Sequence, residues 1–247
     1  MKRILALILT GAVAFGIVGI ANAGEEVQDV EFSIGPTKLS TKKPQNIEWT
    51  VSLTTFDRTD GSNQPPSAQR TLLDLPKQFT LNNKDWPYCK TDEAGLQQAP
   101  TVEDAKAACG QKSVVSVDSG SMAEVTVGDA NPDHVVKIDV DVVAFNEKGD
   151  KIYLYSKPTG VFSGISASIL VGKLKDSKAG SAYKKALDVT VPPLSAGAIS
   201  FFQVTIAKSE YIQATCKPEK LKLKATQYFT NAPSTTDTPS VTCKPKK

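Results

Sequence analysis

The sequence predicts an all-β protein, a disulfide-clipped β-sandwich of roughly ten to twelve mostly antiparallel strands with one short helical excursion. Three observations predict this class: apolar and polar residues alternate along most of the chain, turn-forming clusters separate the alternating stretches, and there are four cysteines. Strands with one apolar face need another sheet to cover that face, so two packed sheets are expected. A closed β-barrel is the alternative.

The first 23 residues have the parts of a secretory signal peptide. Positive charge in the first three residues precedes an apolar run, and a small-x-small cleavage pattern ends at Ala23. The mature chain is therefore expected to begin at Gly24 and to be secreted, with no transmembrane segment after cleavage. Residues 24–247 are expected to form a single elaborated sandwich domain, with residues 128–134 as the candidate seam if there are two domains.

The strands follow from the residues that share a face. In DVEFSIG, apolar Val30, Phe32 and Ile34 alternate with charged or polar residues, as half-buried strands require. Turn clusters such as DGSNQPPS, GDANPDH, NEKGD and NAPSTTDTPS lie between the strands. The other predicted strands are IEWTVSLTTF, SVVSV, MAEVTV, VVKIDVDVVAF, KIYLYS, SGISASILVGKL, ALDVTV, FFQVTI and KLKLKATQYF.

The four cysteines are Cys89, Cys109, Cys216 and Cys243. Export favours disulfides, and of the three pairings that four cysteines allow, the sequence favours sequence neighbours, Cys89 with Cys109 and Cys216 with Cys243. Each bridge is expected to contribute on the order of 3 kcal/mol. A zinc site would need closely spaced ligands, and the one histidine is distant from every cysteine, so neither a metal nor another cofactor is expected.

A short helix is predicted between the first two cysteines. Thr101 and Asp104 have the spacing of a capping box, and the segment VEDAKAA is rich in helix-forming residues. The helix is therefore expected to be a local excursion whose base is closed by the Cys89–Cys109 bridge.

Charge is concentrated near the C-terminal end of the sequence. The whole chain has a net charge of +3, whereas residues 216–247 contain seven lysines and two acidic residues, a net charge of +5. Lys220, Lys222 and Lys224 alternate with leucines, so they are expected to share one strand face. This face either binds an anionic partner, such as a cell-envelope polymer or an acidic glycan, or is a solvated, lysine-protected edge. Nucleic acid is not an expected partner.

Aromatic residues beside the first clip form a second candidate contact. Trp86 and Tyr88 flank Pro87 next to Cys89, where a loop could present them to a sugar or to an extracellular protein. The alternative is that these rings pack against the core or the disulfide.

Catalytic patterns are weak. His134 has no G-x-S-x-G elbow to act with, and Asp139 and Asp141 are expected on one strand face, roughly 7 Å apart, beside Lys137. The chain is therefore predicted not to be an enzyme. The alternative is a secreted hydrolase that uses this acid pair or His134.

Several longer segments resemble a broad group of uncharacterised secreted bacterial β-sandwich proteins. The segments are RTLLDLPKQFTLNNKDWPYC, AKAACGQKSVVSVDSGSM, KIYLYSKPTG and LDVTVPPLSAGAISFFQVTI, followed by a final cysteine pair. In that group a run of the LPxGxxLN kind precedes a cysteine-closed loop, although this chain has a longer strand-like stretch after Cys109. The resemblance implies an extracellular disulfide-clipped sandwich with no assigned activity. The expected function is a non-catalytic secreted or cell-envelope-associated binding or structural protein of unknown ligand.

Overall fold

The structure is a computed structural model that describes residues 28–56, 64–117, 120–128, 131–194, 196–208, 210–230 and 232–246. The predicted signal peptide lies outside the described residues. Within the described part of the chain, no helix is both long and apolar enough to cross a membrane.

The described residues form eighteen strands and two α-helices. The helices are α1 (Glu93–Gln97) and α2 (Val102–Cys109). In chain order the strands are β1 (Gln28–Gly35), β2 (Lys38–Ser40), β3 (Gln45–Asn46), β4 (Glu48–Thr55), β5 (Ala68–Pro76), β6 (Phe79–Leu81), β7 (Met122–Val127), β8 (Val136–Glu147), β9 (Lys151–Pro158), β10 (Ser168–Asp176), β11 (Tyr183–Thr190), β12 (Ala198–Ile206), β13 (Ile212–Ala214), β14 (Lys220–Lys222), β15 (Lys224–Phe229), β16 (Thr235–Asp237), β17 (Ser240–Thr242) and β18 (Lys244–Lys246).

Among the described residues, eleven strands form one antiparallel sheet in the order β1-β4-β12-β7-β8-β9-β10-β11-β5-β15-β16. The sheet curls until its edge strands β1 and β16 meet through side chains. Asp237 Oδ2 accepts a hydrogen bond from the Val30 N–H at 3.2 Å, and Gln28 Oε1 accepts one from the Thr235 hydroxyl at 2.8 Å. The all-β prediction is confirmed. The packed layers belong to one curled sheet, which brings the fold close to the barrel alternative.

The predicted alternation decides which side chains fill the interior of the curled sheet. Val30, Phe32 and Ile34 of β1 are buried while the residues between them are exposed, and Trp49 and Val51 of β4 are buried on the same side. These residues belong to the main hydrophobic cluster, which extends across the facing strands. A cavity of about 60 Å³ remains between the facing strands, lined almost wholly by aliphatic and aromatic side chains.

The outer face of β8, β9 and β10 is covered by the helical excursion. Thr101 caps α2, because its hydroxyl accepts a hydrogen bond from the Asp104 N–H at 3.1 Å, as the sequence predicts. Val143, Phe145 and Tyr155 point to this face and are buried beneath the helices in a second hydrophobic cluster. These strands are therefore apolar on both faces where the helices cover them.

Both predicted disulfides are present, Cys89 with Cys109 and Cys216 with Cys243. The first closes the base of the helical excursion. The second lies among three short sheets at one end of the curled sheet, in the orders β3-β13-β6, β14-β17 and β18-β2. The predicted seam at residues 128–134 falls between β7 and β8, which pair with each other in the main sheet, and its residues 129 and 130 lie outside the described part of the chain.

Candidate functional site

Positive charge is concentrated on a lysine-rich surface built from three separate segments. It combines residues 37–46, 216–222 and 240–246, which contain eight lysines and one acidic residue, Glu219. All eight lysines are exposed. We call this set the basic surface, and its members are Lys38, Lys42, Lys43, Lys217, Lys220, Lys222, Lys244 and Lys246.

Strand β14 presents its lysines as the sequence predicts. Lys220 and Lys222 are exposed, while Leu221 between them is fully buried. The strand pairs with β17, where Thr242 lies opposite Lys220 and Ser240 lies opposite Lys222. Since paired residues point to the same face of a sheet, these four side chains share the outer face.

The third predicted lysine occupies a different position. Lys224 begins β15 in the main sheet, where it is half-buried and lies opposite Asp74 of β5. Leu223, fully buried, separates it from the exposed pair. The basic surface therefore includes Lys220 and Lys222 but not Lys224.

A parallel pairing adds lysines from the other end of the sequence. Strand β18 pairs in parallel with β2, so that Lys244 lies opposite Lys38 and Lys246 lies opposite Ser40. The Lys244 N–H donates to the Thr37 carbonyl oxygen at 2.8 Å. Lys42 and Lys43 follow in a turn fixed by the Ser40 hydroxyl, which accepts a hydrogen bond from the N–H of each at 3.1 Å.

The second disulfide holds these segments together. Cys243 connects β17 to β18 and is fully buried, and its partner Cys216 donates its N–H to the Ser40 carbonyl oxygen at 2.8 Å. The Cys243 N–H donates to the Glu219 carbonyl oxygen at 2.8 Å. The bridge therefore ties the C-terminal lysines to the β2 segment.

Within the described residues, none of the eight lysines forms an ion pair; the acidic groups that are paired contact Arg70, Lys106, Lys137, Lys175 and Lys185 instead. Like charges placed opposite each other destabilise a sheet, in contrast to ion pairs. The basic surface therefore has a positive potential that its own fold does not neutralise, and an anion bound there would relieve the repulsion.

The predicted aromatic contact residues are both half-buried. The Trp86 ring packs edge-on against Tyr211, with ring centroids 5.7 Å apart, and contacts the main hydrophobic cluster. Tyr88 donates its hydroxyl to the Lys84 carbonyl oxygen at 2.9 Å. These contacts hold the rings in place, and their role in binding stays a prediction.

A buried asparagine that belongs to none of the predicted sites holds the loop that carries these rings. Asn146 is fully buried, and its side-chain amide donates to the carbonyl oxygens of Asn83 at 2.9 Å and Trp86 at 3.1 Å. Its Oδ1 accepts a hydrogen bond from the Tyr211 hydroxyl at 3.3 Å, and its carbonyl oxygen accepts one from the Cys89 N–H at 2.8 Å. In the sequence, the only indication of this role is that a polar residue directly follows the apolar run VVAF.

The residues considered for hydrolysis are spread over a solvated face. His134 is exposed in a short 3₁₀ turn, where its ring Nε2 lies 3.1 Å from the Asn131 amide nitrogen. Asp139 and Asp141 are exposed on β8, and Lys137 pairs with Glu124 of the neighbouring strand at 2.9 Å. His134, Asp139 and Asp141 line neither the apolar cavity inside the curled sheet nor a second cavity lined by Phe79, Asn82 and Asp150.

Within the described residues, no group of three or more His, Cys, Asp or Glu side chains is arranged to hold a metal ion. Comparison of the chain with protein-family models, with curated proteins and with solved structures found no match. The resemblance to secreted bacterial sandwich proteins therefore stays a prediction.

Proposed function

We propose that this chain is a non-catalytic, secreted binding protein that holds an anionic polymer of the cell envelope or extracellular surroundings on its basic surface. The observation that carries the proposal is the β2–β18 pairing, which places Lys38 opposite Lys244 with no acidic partner for either among the described residues. Two disulfides that use all four cysteines support work in an oxidising compartment.

A polymer is favoured over a small anion because the lysines are spread along strands. Lys220 and Lys222 are two residues apart on β14, which separates their Cα atoms by about 7 Å. Lys244 and Lys246 repeat this spacing on β18. A ligand with regularly repeated charges can contact several of them at once, and each contact is weak in water by itself.

The alternative for these lysines is protection of short strands against pairing with another chain. Under this alternative the surface needs charge but no ligand. Both interpretations predict a soluble and positively charged face, so only a binding measurement distinguishes them.

The test is the affinity of the oxidised protein for polyphosphate and for isolated cell envelopes at about 20 mM and about 500 mM salt, where the screening length falls from roughly 20 Å to about 4 Å. Binding at low salt that is lost at high salt supports the proposal. A protein that binds neither probe at low salt contradicts it and leaves edge protection as the role of the lysines.

A further inference from the structure

A cleft of about 270 Å³ opens at the same end of the curled sheet as the basic surface. Its floor is apolar, formed by Phe79, Leu81 and Leu174. Its walls are polar and come from residues 82–85, from Asp150 in the β8–β9 turn and from two lysines that begin β11. The volume lies just below the range of about 300–1,000 Å³ typical of small-molecule sites, so a ligand unit of modest size fits.

The polar walls contain both cationic and carboxylate side chains. Lys84 and Lys184 are exposed cations, and Asp85 and Asp150 are carboxylates on the same cleft. The remaining cation, Lys185, is paired with Asp176 at 2.8 Å. A cleft with both signs of charge has little net attraction for an ion. It suits a neutral unit with many hydroxyl groups, whose C–H face contacts the apolar floor.

The cleft walls contact two turns in which a non-glycine residue has a positive backbone φ. Among the described residues, Asp150 and Glu210 are the two non-glycine residues with positive φ, at 59° and 71°. Asn83 donates its side-chain amide to Asp150 Oδ1 at 2.7 Å, and Asn82 donates its amide to the Glu210 carbonyl oxygen. Both asparagines line the cleft. Asp150 and Glu210 both lie in turns, where positive φ is tolerated by aspartate and is less favourable for glutamate, so the two asparagine contacts help to hold the cleft walls in place.

The cleft and the basic surface are connected by a three-stranded sheet. Thr80 of β6, which lines the cleft, pairs with Gln213 of β13, and Gln213 pairs with Asn46 of β3. Adjacent strands are about 4.8 Å apart, so β3 lies about 10 Å from the cleft wall. Lys43 precedes β3 by two residues. One extended chain can therefore contact the lysines and enter the cleft.

From this arrangement we infer that the ligand is an acidic glycan, with one saccharide unit in the cleft and its anionic groups on the basic surface. The inference rests on the proposed function and adds the chemical class of the polymer. It assigns saccharide recognition to Asp85 and Lys184, whose charged groups are exposed and form no ion pair within the described residues.

The experiment measures binding of the oxidised protein to immobilised neutral, carboxylated and sulfated oligosaccharides, with polyphosphate as the probe that has charge but no sugar. The cleft variant is a double substitution, Asp85→Ala together with Lys184→Ala, which leaves the net charge of the protein unchanged. The matched control is Asp133→Ala with Lys112→Ala, an equally exposed pair outside the cleft.

The expected result is that an acidic oligosaccharide binds more tightly than polyphosphate, and that the cleft variant weakens this binding by about tenfold or more, since it loses hydrogen bonds to charged groups. Polyphosphate binding should stay within about twofold, as for the control. If acidic oligosaccharides bind no better than polyphosphate, or if the cleft variant weakens both probes equally, the inference is wrong while the proposed function stands. Failure of polyphosphate, of isolated cell envelopes and of every acidic oligosaccharide to bind overturns both.

Discussion

Lys38 and Lys244 lie opposite each other in a two-stranded parallel ladder, both exposed and both without an ion-pair partner among the described residues. Paired residues in a sheet have their Cβ atoms about 5 Å apart, so the two ammonium groups share one small region of the surface. The arrangement joins lysines from distant parts of the sequence. Repulsion between the two ammonium groups costs free energy unless an anion is bound between them. This pair of lysines is therefore the most informative place to test binding.

Replacing this pair, as Lys38→Ala with Lys244→Ala, should lower the affinity for polyphosphate at low salt by about tenfold, because two of the clustered charges are lost. The free energy of unfolding should stay constant or rise by a few tenths of a kcal/mol, because the repulsion is removed. Lys90→Ala with Lys112→Ala, beside the first disulfide, is the control and should change neither quantity. Equal loss of affinity in both double variants would show that only net charge matters.

The two disulfides should differ in their effect on binding. Removing either bridge, as Cys89→Ser with Cys109→Ser or as Cys216→Ser with Cys243→Ser, is expected to lower the free energy of unfolding by about 3–4 kcal/mol. Only the second change should also weaken polyphosphate binding, since that bridge fixes the lysine segments on β2. Urea denaturation and binding at a temperature where both variants are folded measure the two effects. Equal binding by the two variants would contradict this role of the second bridge.

Asn146→Asp should strongly destabilise the loop that forms the cleft wall. The substitution keeps the shape of the side chain but replaces an amide donor with a carboxylate oxygen that faces the carbonyl oxygens of Asn83 and Trp86. The expected loss in the free energy of unfolding is about 3 kcal/mol or more at neutral pH. The control is Asn46→Asp, at an exposed position whose Oδ1 accepts from the Gln213 amide at 2.9 Å and can still do so. Comparable losses in the two variants would refute the role given to Asn146.

Tyr155 should make the protein sensitive to alkali. Burial, together with the Asp104 and Glu103 carboxylates, raises the pKa of Tyr155 to about 12. The unfolded chain has a tyrosine pKa of about 10, so the unfolded state loses its proton first as the pH rises. The stabilisation is therefore complete below about pH 10 and is lost between about pH 10 and pH 12.

Denaturation of the wild type and of Tyr155→Phe across this pH range measures the effect. The variant loses the hydrogen bond from the Tyr155 hydroxyl to the Ala99 carbonyl oxygen, which is 2.8 Å long, and should be less stable at neutral pH. Its stability should fall less steeply above pH 10. The two proteins losing stability in parallel would rule out a contribution from Tyr155.

Gly197→Ala should cost more stability than Gly149→Ala. Both glycines have positive φ, 80° and 72°, so each substitution has the backbone penalty of about 1–2 kcal/mol. A Cβ at residue 197 would also lie 2.7 Å from the Thr126 carbonyl oxygen, whereas nothing lies within 4 Å at residue 149. The difference between the two unfolding free energies isolates this contact. Equal losses would show that β7 can move away.

The sequence by itself determined the local structure of this protein. Period-two alternation identifies which side chains of β1 and β4 face the interior, because neighbouring residues of a strand point to opposite faces whatever the strand pairs with. The cap at Thr101 is equally local, since its two groups are three residues apart. The pairing of cysteines with their sequence neighbours follows from short loops, and the structure confirms it.

Only the tertiary structure decided how distant segments meet. Three features depend on which apolar faces cover one another: the strand order, the curl that joins β1 to β16, and the pairing of Lys38 with Lys244. The alternation of residues within one strand does not indicate which other strand it pairs with. The same holds for Asn146, whose partners lie in a loop far away in sequence. The candidate site is built from such non-local contacts, so the sequence predicted part of its charge but not its assembly.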